Sequence, residues 1–155
     1  MKRIKVKKGQ ILQQIGDLNT KGYQVESGLL RSYSIDEKGK EHIFMFAPEG
    51  WMVSDNVPRT EPSELCIDVL EDAVLLQVEK NFDIEINISK LVKRMAVLQK
   101  RIIMLMSASA IERYEHFIET YPDIVQRVPQ RMIASYLGIT PEALSKVKRE
   151  RLSKK

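Results

Sequence analysis

The residues whose types and spacing could do chemistry lie near the C-terminal end of the chain, where basic side chains follow a tight-turn signature. Gly138 can adopt the positive φ of a three-residue turn, and residues Gln130–Leu137 before it have the pattern of a short helix. Thr140, Pro141 and Glu142 combine a hydroxyl cap, a proline suited to the first helical position and an acid near the positive end of the helix dipole. The helix that begins there carries Lys146, Lys148, Arg149, Arg151, Lys154 and Lys155. The pattern predicts a helix-turn-helix whose basic second helix enters a DNA groove.

Apolar residues at the same place explain how two such helices would hold together. Ala134 is small where helices that cross steeply must approach closely. The apolar residues that can bury the pair are Ile133, Leu137, Ile139, Leu144 and Val147.

The charge distribution agrees with a nucleic-acid reader. Residues 126–155 carry eight Lys or Arg against two acids, whereas residues 1–125 carry 17 against 19, so the net charge of +4 arises from the C-terminal part. A basic module attached to a mildly acidic body is typical of a DNA-binding protein. The alternative is a solvated, frayed C-terminal helix, and the turn signature beside the basic residues favours the reader.

The residue types that serve catalysis and metal binding are scarce. One cysteine, Cys66, excludes an internal disulfide, and with His42 and His116 it gives too few ligands for a metal centre or an iron–sulfur cluster. Cys66 lies in an apolar run and is interpreted as a buried strand residue, and His42 as a surface strand position. We therefore predict no enzyme activity, no cofactor and no metal. No run of about 18 apolar residues and no apolar leader is present, so we expect a cytoplasmic protein without a membrane partner.

The first half of the chain has the pattern of a β-rich domain. Six of the seven glycines fall within the first fifty residues and separate short segments of β character. Strands are predicted over 4–7, 11–14, 24–26, 29–35 and 42–46, with a hairpin turn over 36–40, and two more over 66–70 and 74–78. Short strands with regular turn signals indicate a sandwich or a roll.

The pattern changes to a helical period after residue 87. Apolar residues then alternate at spacings of three and four, as in a coiled-coil seam: Ile88, Leu91, Met95, Leu98, Ile102 and Leu105. A single buried amphipathic helix would give a similar stripe, but further apolar residues widen the surface and favour homodimerisation. Another helix is predicted within 109–128, ending near Tyr121-Pro122, and Pro129 separates it from the reader.

Taken together, these motifs resemble the catabolite activator/fumarate-nitrate regulator (Crp/Fnr) superfamily over nearly the full length. The resemblance is carried by KGQIL at 8–12, GD at 16–17, VESGLLR at 25–31, PEGW at 48–51, the heptad helix, and RMIASYLGITPEALSK at 131–146. It implies an α+β fold in which a cyclic-nucleotide-binding-type β-roll (jelly roll) over 1–83 precedes a dimerisation helix over 84–108. A helix-turn-helix DNA-binding domain over 109–155 follows.

The chain departs from the resembled family in the nucleotide pocket. In that family a glycine–glutamate pair is followed by an Arg-Ser-Ala-type segment that grips the cyclic phosphate. The matching positions here include Ser54 and Asp55, and Glu64 stands where the family has its phosphate-binding arginine. An acid facing a phosphate diester is repulsive, so we expect a degenerate pocket that does not bind cyclic AMP. Arg59 could compensate only if its loop folded inward, and a solvent-exposed Arg59 is the favoured alternative.

The resemblance also assigns roles within the reader. Glu142 matches a base-contacting acid that can accept a hydrogen bond from cytosine, and Lys146 matches a basic base-contacting position. Pro141 stands where the family has a third, basic base-contacting residue, so the direct readout of bases should be narrower than in family members that have all three. Thr140 contacts phosphate or only caps its helix, and both alternatives stay open. The other residues of the predicted DNA-contact set are Gln130, Arg131, Ser135, Ser145 and Arg149.

Both ends of the chain differ from the family pattern. The β-hairpin wing that usually follows the reading helix would lie beyond Lys155, and the helix that usually precedes the first strand would lie before Met1. From this short form we expect fewer phosphate contacts for each protomer and greater reliance on dimerisation.

The predicted function is a homodimeric, sequence-specific transcription regulator that binds an imperfect palindrome in double-stranded DNA. RNA polymerase and an unidentified small-molecule effector are the further partners that the resemblance allows. The alternative is a small-molecule-binding module with a vestigial DNA reader. An enzyme is disfavoured because no nucleophile–base pair, metal set or phosphate-cradling loop is visible.

Overall fold

The chain divides into two compact units, Met1–Asp83 and Ile84–Lys155. The computed structural model describes residues 1–80 and 88–153 of them. The first unit is built from strands and the second from helices. Antiparallel strands and helices segregated along the chain make an α+β fold, as predicted from the sequence.

Unit 1 is an antiparallel sheet. Its strands are β1 (Lys2–Val6), β2 (Ile11–Gln13), β3 (Lys21–Ile35), β4 (Glu41–Ala47), β5 (Met52–Val53) and β6 (Cys66–Glu79). The main order is β1-β6-β3-β4, while β2 pairs with β6 and β5 pairs with β3. The long strands β3 and β6 therefore form the centre on which the other four assemble.

The strands β3 and β6 are each continuous where the sequence predicted two separate strands. The pairing of β3 with β6 shifts register near Ser27 and Leu29, so a bulge absorbs the irregularity without ending the strand. Gly28 permits this bulge: its φ is +94°, and a Cβ there would lie 2.5 Å from the carbonyl oxygen of Asp72. Gly28, which separates the two strands predicted for this segment, therefore marks a bulge within one strand and not a strand end.

The core of unit 1 lies on the inner face of these strands. It is formed by Val6, Tyr23, Val25, Leu30, Met45, Ala47, Val53, Ile67, Val69, Ala73 and Leu75. Arg31 is also buried, and its guanidinium donates to the Asp68 carboxylate at 2.9 and 2.8 Å and to Glu41. One arginine thus joins β3, β4 and β6.

Two isolated side chains of unit 1 lie where the sequence predicted. Cys66 is buried at the start of β6, and His42 is an exposed residue of β4. The hairpin over 36–40 is also present, with the Asp36 carboxylate accepting from the backbone N–H groups of Lys38 and Lys40. These features are set by local sequence, which explains why they could be predicted.

Unit 2 consists of α1 (Ile88–Ser107), α2 (Ala110–Thr120), α3 (Ile124–Arg127), α4 (Gln130–Leu137) and α5 (Pro141–Ser153). The helix predicted within 109–128 ends near Tyr121-Pro122 as expected, because Pro122 cannot continue it, and a one-turn helix that was not predicted, α3, follows. None of the helices in the described part of the chain is long and apolar enough to cross a lipid bilayer.

Candidate nucleic-acid interface

The turn between α4 and α5 has the geometry predicted for a helix-turn-helix. Gly138 is left-handed, with φ 65° and ψ 32°. Its N–H donates to the Ser135 carbonyl at 3.1 Å, and the Ile139 N–H donates to the Ala134 carbonyl at 3.1 Å. These bonds satisfy carbonyls at the end of α4 and reverse the chain within a few residues. The two helices and the turn of the predicted motif are therefore present.

The start of α5 uses Thr140 as a cap. The Thr140 hydroxyl oxygen accepts from the Ala143 N–H at 3.2 Å, and the Thr140 carbonyl accepts from the Leu144 N–H at 3.0 Å. The hydroxyl oxygen satisfies one of the free N–H groups of the first turn. The capping role that the sequence left open is present in the structure, and the exposed hydroxyl keeps its own hydrogen for another acceptor.

A compact core fixes the two reader helices to each other. Ile133, Ala134 and Leu137 of α4 are buried, as are Leu144 and Val147 of α5. An aromatic cluster of Phe117, Tyr121 and Tyr136 adds to this core, with ring centroids 5.3 to 5.6 Å apart. Since these contacts immobilise α5 from behind, its outward face has a defined orientation.

The outward face of α5 presents polar side chains of both charges. Residues at intervals of three and four share one side of a helix, and here they are the exposed residues Glu142, Ser145, Lys146 and Arg149. The Lys146 ammonium lies 3.9 Å from the Glu150 carboxylate, with both side chains largely in solvent. Such an exposed ion pair is weak and leaves Lys146 able to take another partner. The face can therefore both donate and accept hydrogen bonds.

The remaining predicted DNA contacts lie around this face. Gln130 and Arg131 are exposed in the first turn of α4, and Pro141 is exposed at the first position of α5. Ser135 is only half exposed, one turn after Arg131 on the same side of α4. Arg131 is thus better placed than Ser135 to reach a phosphate.

The helix α1 exposes an apolar stripe that overlaps the predicted dimer seam. Met95 and Ile102 of that seam are 60% and 57% exposed, whereas Leu98 and Leu105 are half-buried. The side chains of Ile88 and Leu91 lie outside the described residues. Five exposed residues of α1 lie at spacings of three and four: Val92, Met95, Gln99, Ile102 and Met106. Val97 and Ile103 are exposed as well. These five residues share Met95 and Ile102 with the predicted dimer seam and differ from it by one residue at each position between.

In unit 1, the segment that matches the family's nucleotide pocket is held together by Asp55. This residue is 2% exposed. Its carboxylate accepts from the N–H groups of Val57 at 2.8 Å, Glu64 at 2.8 Å and Leu65 at 3.2 Å. The amide of Gln13 lies 3.4 Å away. The Asp55 carboxylate therefore holds its own loop together, and its lone pairs are already occupied by these hydrogen bonds.

The other predicted pocket residues do not converge with Asp55. Arg59 points to β6, where its guanidinium lies 3.3 Å from the Glu79 carboxylate, and its side chain is 42% exposed. Glu64 is exposed and Ser54 is half-buried. In this arrangement Arg59 does not fold inward to supply a phosphate ligand.

Metal binding finds no support within residues 1–80 and 88–153, where no cluster of His, Cys, Asp and Glu could hold an ion.

Arg113 is a residue that reasoning from the sequence did not select. Its guanidinium donates to three backbone carbonyls of unit 2. No local sequence signal marks Arg113, because its contacts are with carbonyls at the ends of other helices.

The sequence is similar to two curated bacterial proteins. Both are named anaerobic regulatory protein: one from Aggregatibacter actinomycetemcomitans is 28% identical, and one from Haemophilus influenzae is 26% identical, each over 92% of this chain. The chain spans 63% of the length of these relatives. No protein-family model matches the sequence.

Solved structures of regulators have the same fold. FixK2 from Bradyrhizobium japonicum superposes with a TM-score of 0.77 at 20% identity, covering 99% of this chain and 85% of that one. A transcriptional regulator of the CRP/FNR family from Thermus thermophilus gives 0.76 at 18% identity, covering 99% and 87%. The resemblance predicted from the sequence is thereby confirmed, and this chain has the fold of the Crp/Fnr regulators.

Proposed function

We propose that this protein is a sequence-specific DNA-binding transcription regulator. One observation carries the proposal: Glu142, Ser145, Lys146 and Arg149 share the outward face of a helix that is fixed from behind by a buried core. A helix of this kind fits the major groove, where Lys favours guanine acceptors and Glu accepts from cytosine. The similar proteins are named as regulators, and we assign no chemical reaction to this chain.

The proposed active form is a homodimer joined along α1. The exposed residues Val92, Met95, Gln99, Ile102 and Met106 have the spacing of a coiled-coil seam, and a second copy of the same stripe would cover them. Two readers related by a two-fold axis would bind half-sites about 34 Å apart on a palindrome.

The β-roll is proposed to act without a cyclic nucleotide. In the segment that matches the family pocket, the Asp55 carboxylate accepts hydrogen bonds from the backbone N–H groups of Val57 and Glu64. Arg59 is turned toward Glu79. A bound phosphate diester would meet the negative charge of Glu64 without a compensating arginine. A different effector and RNA polymerase stay predictions from the family resemblance.

The test is a selection of bound fragments from a random-sequence DNA pool, performed with three proteins. The wild type should enrich a two-fold symmetric motif. The Glu142→Ala, Lys146→Ala double variant should lose it, because each good base contact contributes about 1–3 kcal/mol of discrimination. The matched control is Glu37→Ala, Lys38→Ala, which removes the same two residue types from the exposed hairpin of unit 1 and should keep the motif.

Two outcomes would count against the proposal. Absence of any bound DNA from the wild-type pool would overturn it. Salt-sensitive binding without a motif, equal in all three proteins, would leave only a basic tail and would favour a ligand-binding role for the β-roll.

A further inference from the structure

Arg113 is placed near the start of α2, where its side chain reaches the ends of two other helices. Its Nη2 donates to the Leu105 carbonyl at 2.7 Å, at the end of α1. Its Nε donates to the Ala108 carbonyl at 3.0 Å, just after α1. Its Nη1 donates to the Leu137 carbonyl at 3.2 Å, the last residue of α4. One guanidinium thus joins α1 to the turn of the reader.

The first two carbonyls need this donor because the N–H groups four residues further along the chain are engaged elsewhere. The Ser109 N–H, four residues after Leu105, donates to the Glu112 carboxylate at 2.7 Å. The Glu112 N–H, four residues after Ala108, donates to the Ser109 hydroxyl at 3.4 Å. The capping box of α2 therefore leaves two carbonyls free, and Arg113 satisfies both.

The third carbonyl belongs to Leu137, the last residue of α4. Gly138 is left-handed, so the chain turns away and no later helical N–H follows to pair with this carbonyl. The end of α4 thereby leaves an acceptor that Arg113 binds. The carbonyl ends of α1 and α4 both carry partial negative charge, which a cation stabilises.

A second contact joins the same two helices. The Arg101 guanidinium of α1 lies 4.1 Å from the centroid of the Tyr136 ring of α4. Tyr136 is itself buried in the aromatic cluster with Phe117 of α2. The C-terminal half of α1 is therefore held to the reader at two points.

We infer that Arg113 is a positioning residue, which fixes the orientation of the reader relative to the end of α1. The inference rests on the proposed function, because a fixed orientation matters only when two readers must meet two half-sites at once. The fork geometry is essential, since three carbonyls in different directions require separate N–H groups and the single ammonium of lysine cannot span them.

The consequence is a difference between a full palindrome and a single half-site. A reader that swings freely on α1 still binds one half-site normally. It engages the second half-site at a lower effective concentration, so the advantage of the palindrome decreases. A defect in folding would weaken binding to both DNA molecules equally.

The experiment compares wild type, Arg113→Lys and a control, Arg3→Lys, which makes the same change at an exposed residue of unit 1. Affinities are measured for a palindrome obtained by selection with the wild type and for a DNA with one half-site. We expect Arg113→Lys to lose about tenfold or more on the palindrome and less than about twofold on the half-site. The control should bind both like the wild type.

Hydrogen exchange on the DNA-free proteins gives an independent readout. Arg113→Lys should speed exchange in both segments 104–109 and 134–139, which lie on the two helices joined by Arg113. Unchanged exchange in either segment would overturn the inference. An equal loss of affinity for the palindrome and the half-site, or no loss for either, would also overturn the inference. The proposed function would remain standing in both cases. If the wild type binds no DNA, the proposed function fails and the positioning role fails with it.

Discussion

At the scale of single residues, the capping box of α2 combines charge and hydrogen bonding at one helix start. The Glu112 carboxylate accepts from the Ser109 hydroxyl and the Ser109 N–H, both at 2.7 Å. These bonds, the hydroxyl first and then the backbone, hold the pKa of Glu112 below its usual value of 4.5. A lowered pKa in the folded state means that the ionised carboxylate stabilises folding.

The pH dependence follows from the direction of that shift. The stabilisation is complete above the unfolded pKa and is lost as the pH falls through the lower pKa of the folded state. Glu112→Gln should therefore be less stable than wild type near neutral pH, and the difference in unfolding free energy should shrink as the solution is made acidic. Urea unfolding followed by helical circular dichroism at several pH values measures it. A difference that is constant with pH would show that the charge plays no part.

At the scale of elements, the exposed stripe of α1 makes a prediction about assembly. Ile102 lies within the proposed dimer seam, whereas Val97 is similarly exposed on the other side of the helix. Ile102→Glu should weaken the dimer about 100-fold or more, because burying an unpaired carboxylate costs several kcal/mol. Val97→Glu should leave the dimer intact. Sedimentation equilibrium over a range of concentrations distinguishes them, and equal dissociation of both variants would exclude this stripe as the seam.

Element type could be predicted wherever it depends on local signals. The turn at Gly138, the cap at Thr140 and the hairpin over 36–40 each depend on a few adjacent residues, and each is present. The continuity of β3 and β6 could not be predicted, because it depends on pairing between residues some fifty positions apart. A glycine inside a strand pattern has the same sequence signature for a bulge and for a break.

Contacts between elements were the part of the candidate site that the sequence did not reveal. The spacing of apolar residues on α1 allows two seams, and both contain Met95 and Ile102. The predicted seam also contains Leu98 and Leu105, which the structure shows to be half-buried. Arg113 is similarly inconspicuous, because a single basic residue on a helix resembles any surface charge. Its role depends on three carbonyls outside its own helix.

At the scale of the whole molecule, the net positive charge resides in residues 126–155, so the proposed DNA binding should depend strongly on salt. Arg131 is exposed at the start of α4 and is a predicted phosphate contact. Each phosphate contact contributes about 0.9 to the slope of log affinity against log salt. Arg131→Ala should therefore flatten the slope by about two for a dimer on a palindrome, and by about one on a half-site. Lys38→Ala, in the hairpin of unit 1, is the control and should not change it.

The comparison of the two DNA molecules tests stoichiometry as well as contact. A slope that changes by the same amount on the palindrome and the half-site would mean that only one protomer contacts phosphates. Unchanged slopes on both would remove Arg131 from the predicted DNA-contact set.

The burial of the lone thiol has a practical consequence for such measurements. Cys66 is 5% exposed, and it is the sole cysteine of the sequence. Alkylating reagents attack accessible thiolates, so the native protein should react slowly with maleimide dyes while folded. A cysteine introduced at an exposed position could then carry a fluorophore selectively without removal of the natural one. The molecule is thereby suited to single-molecule fluorescence tests of the proposed DNA binding.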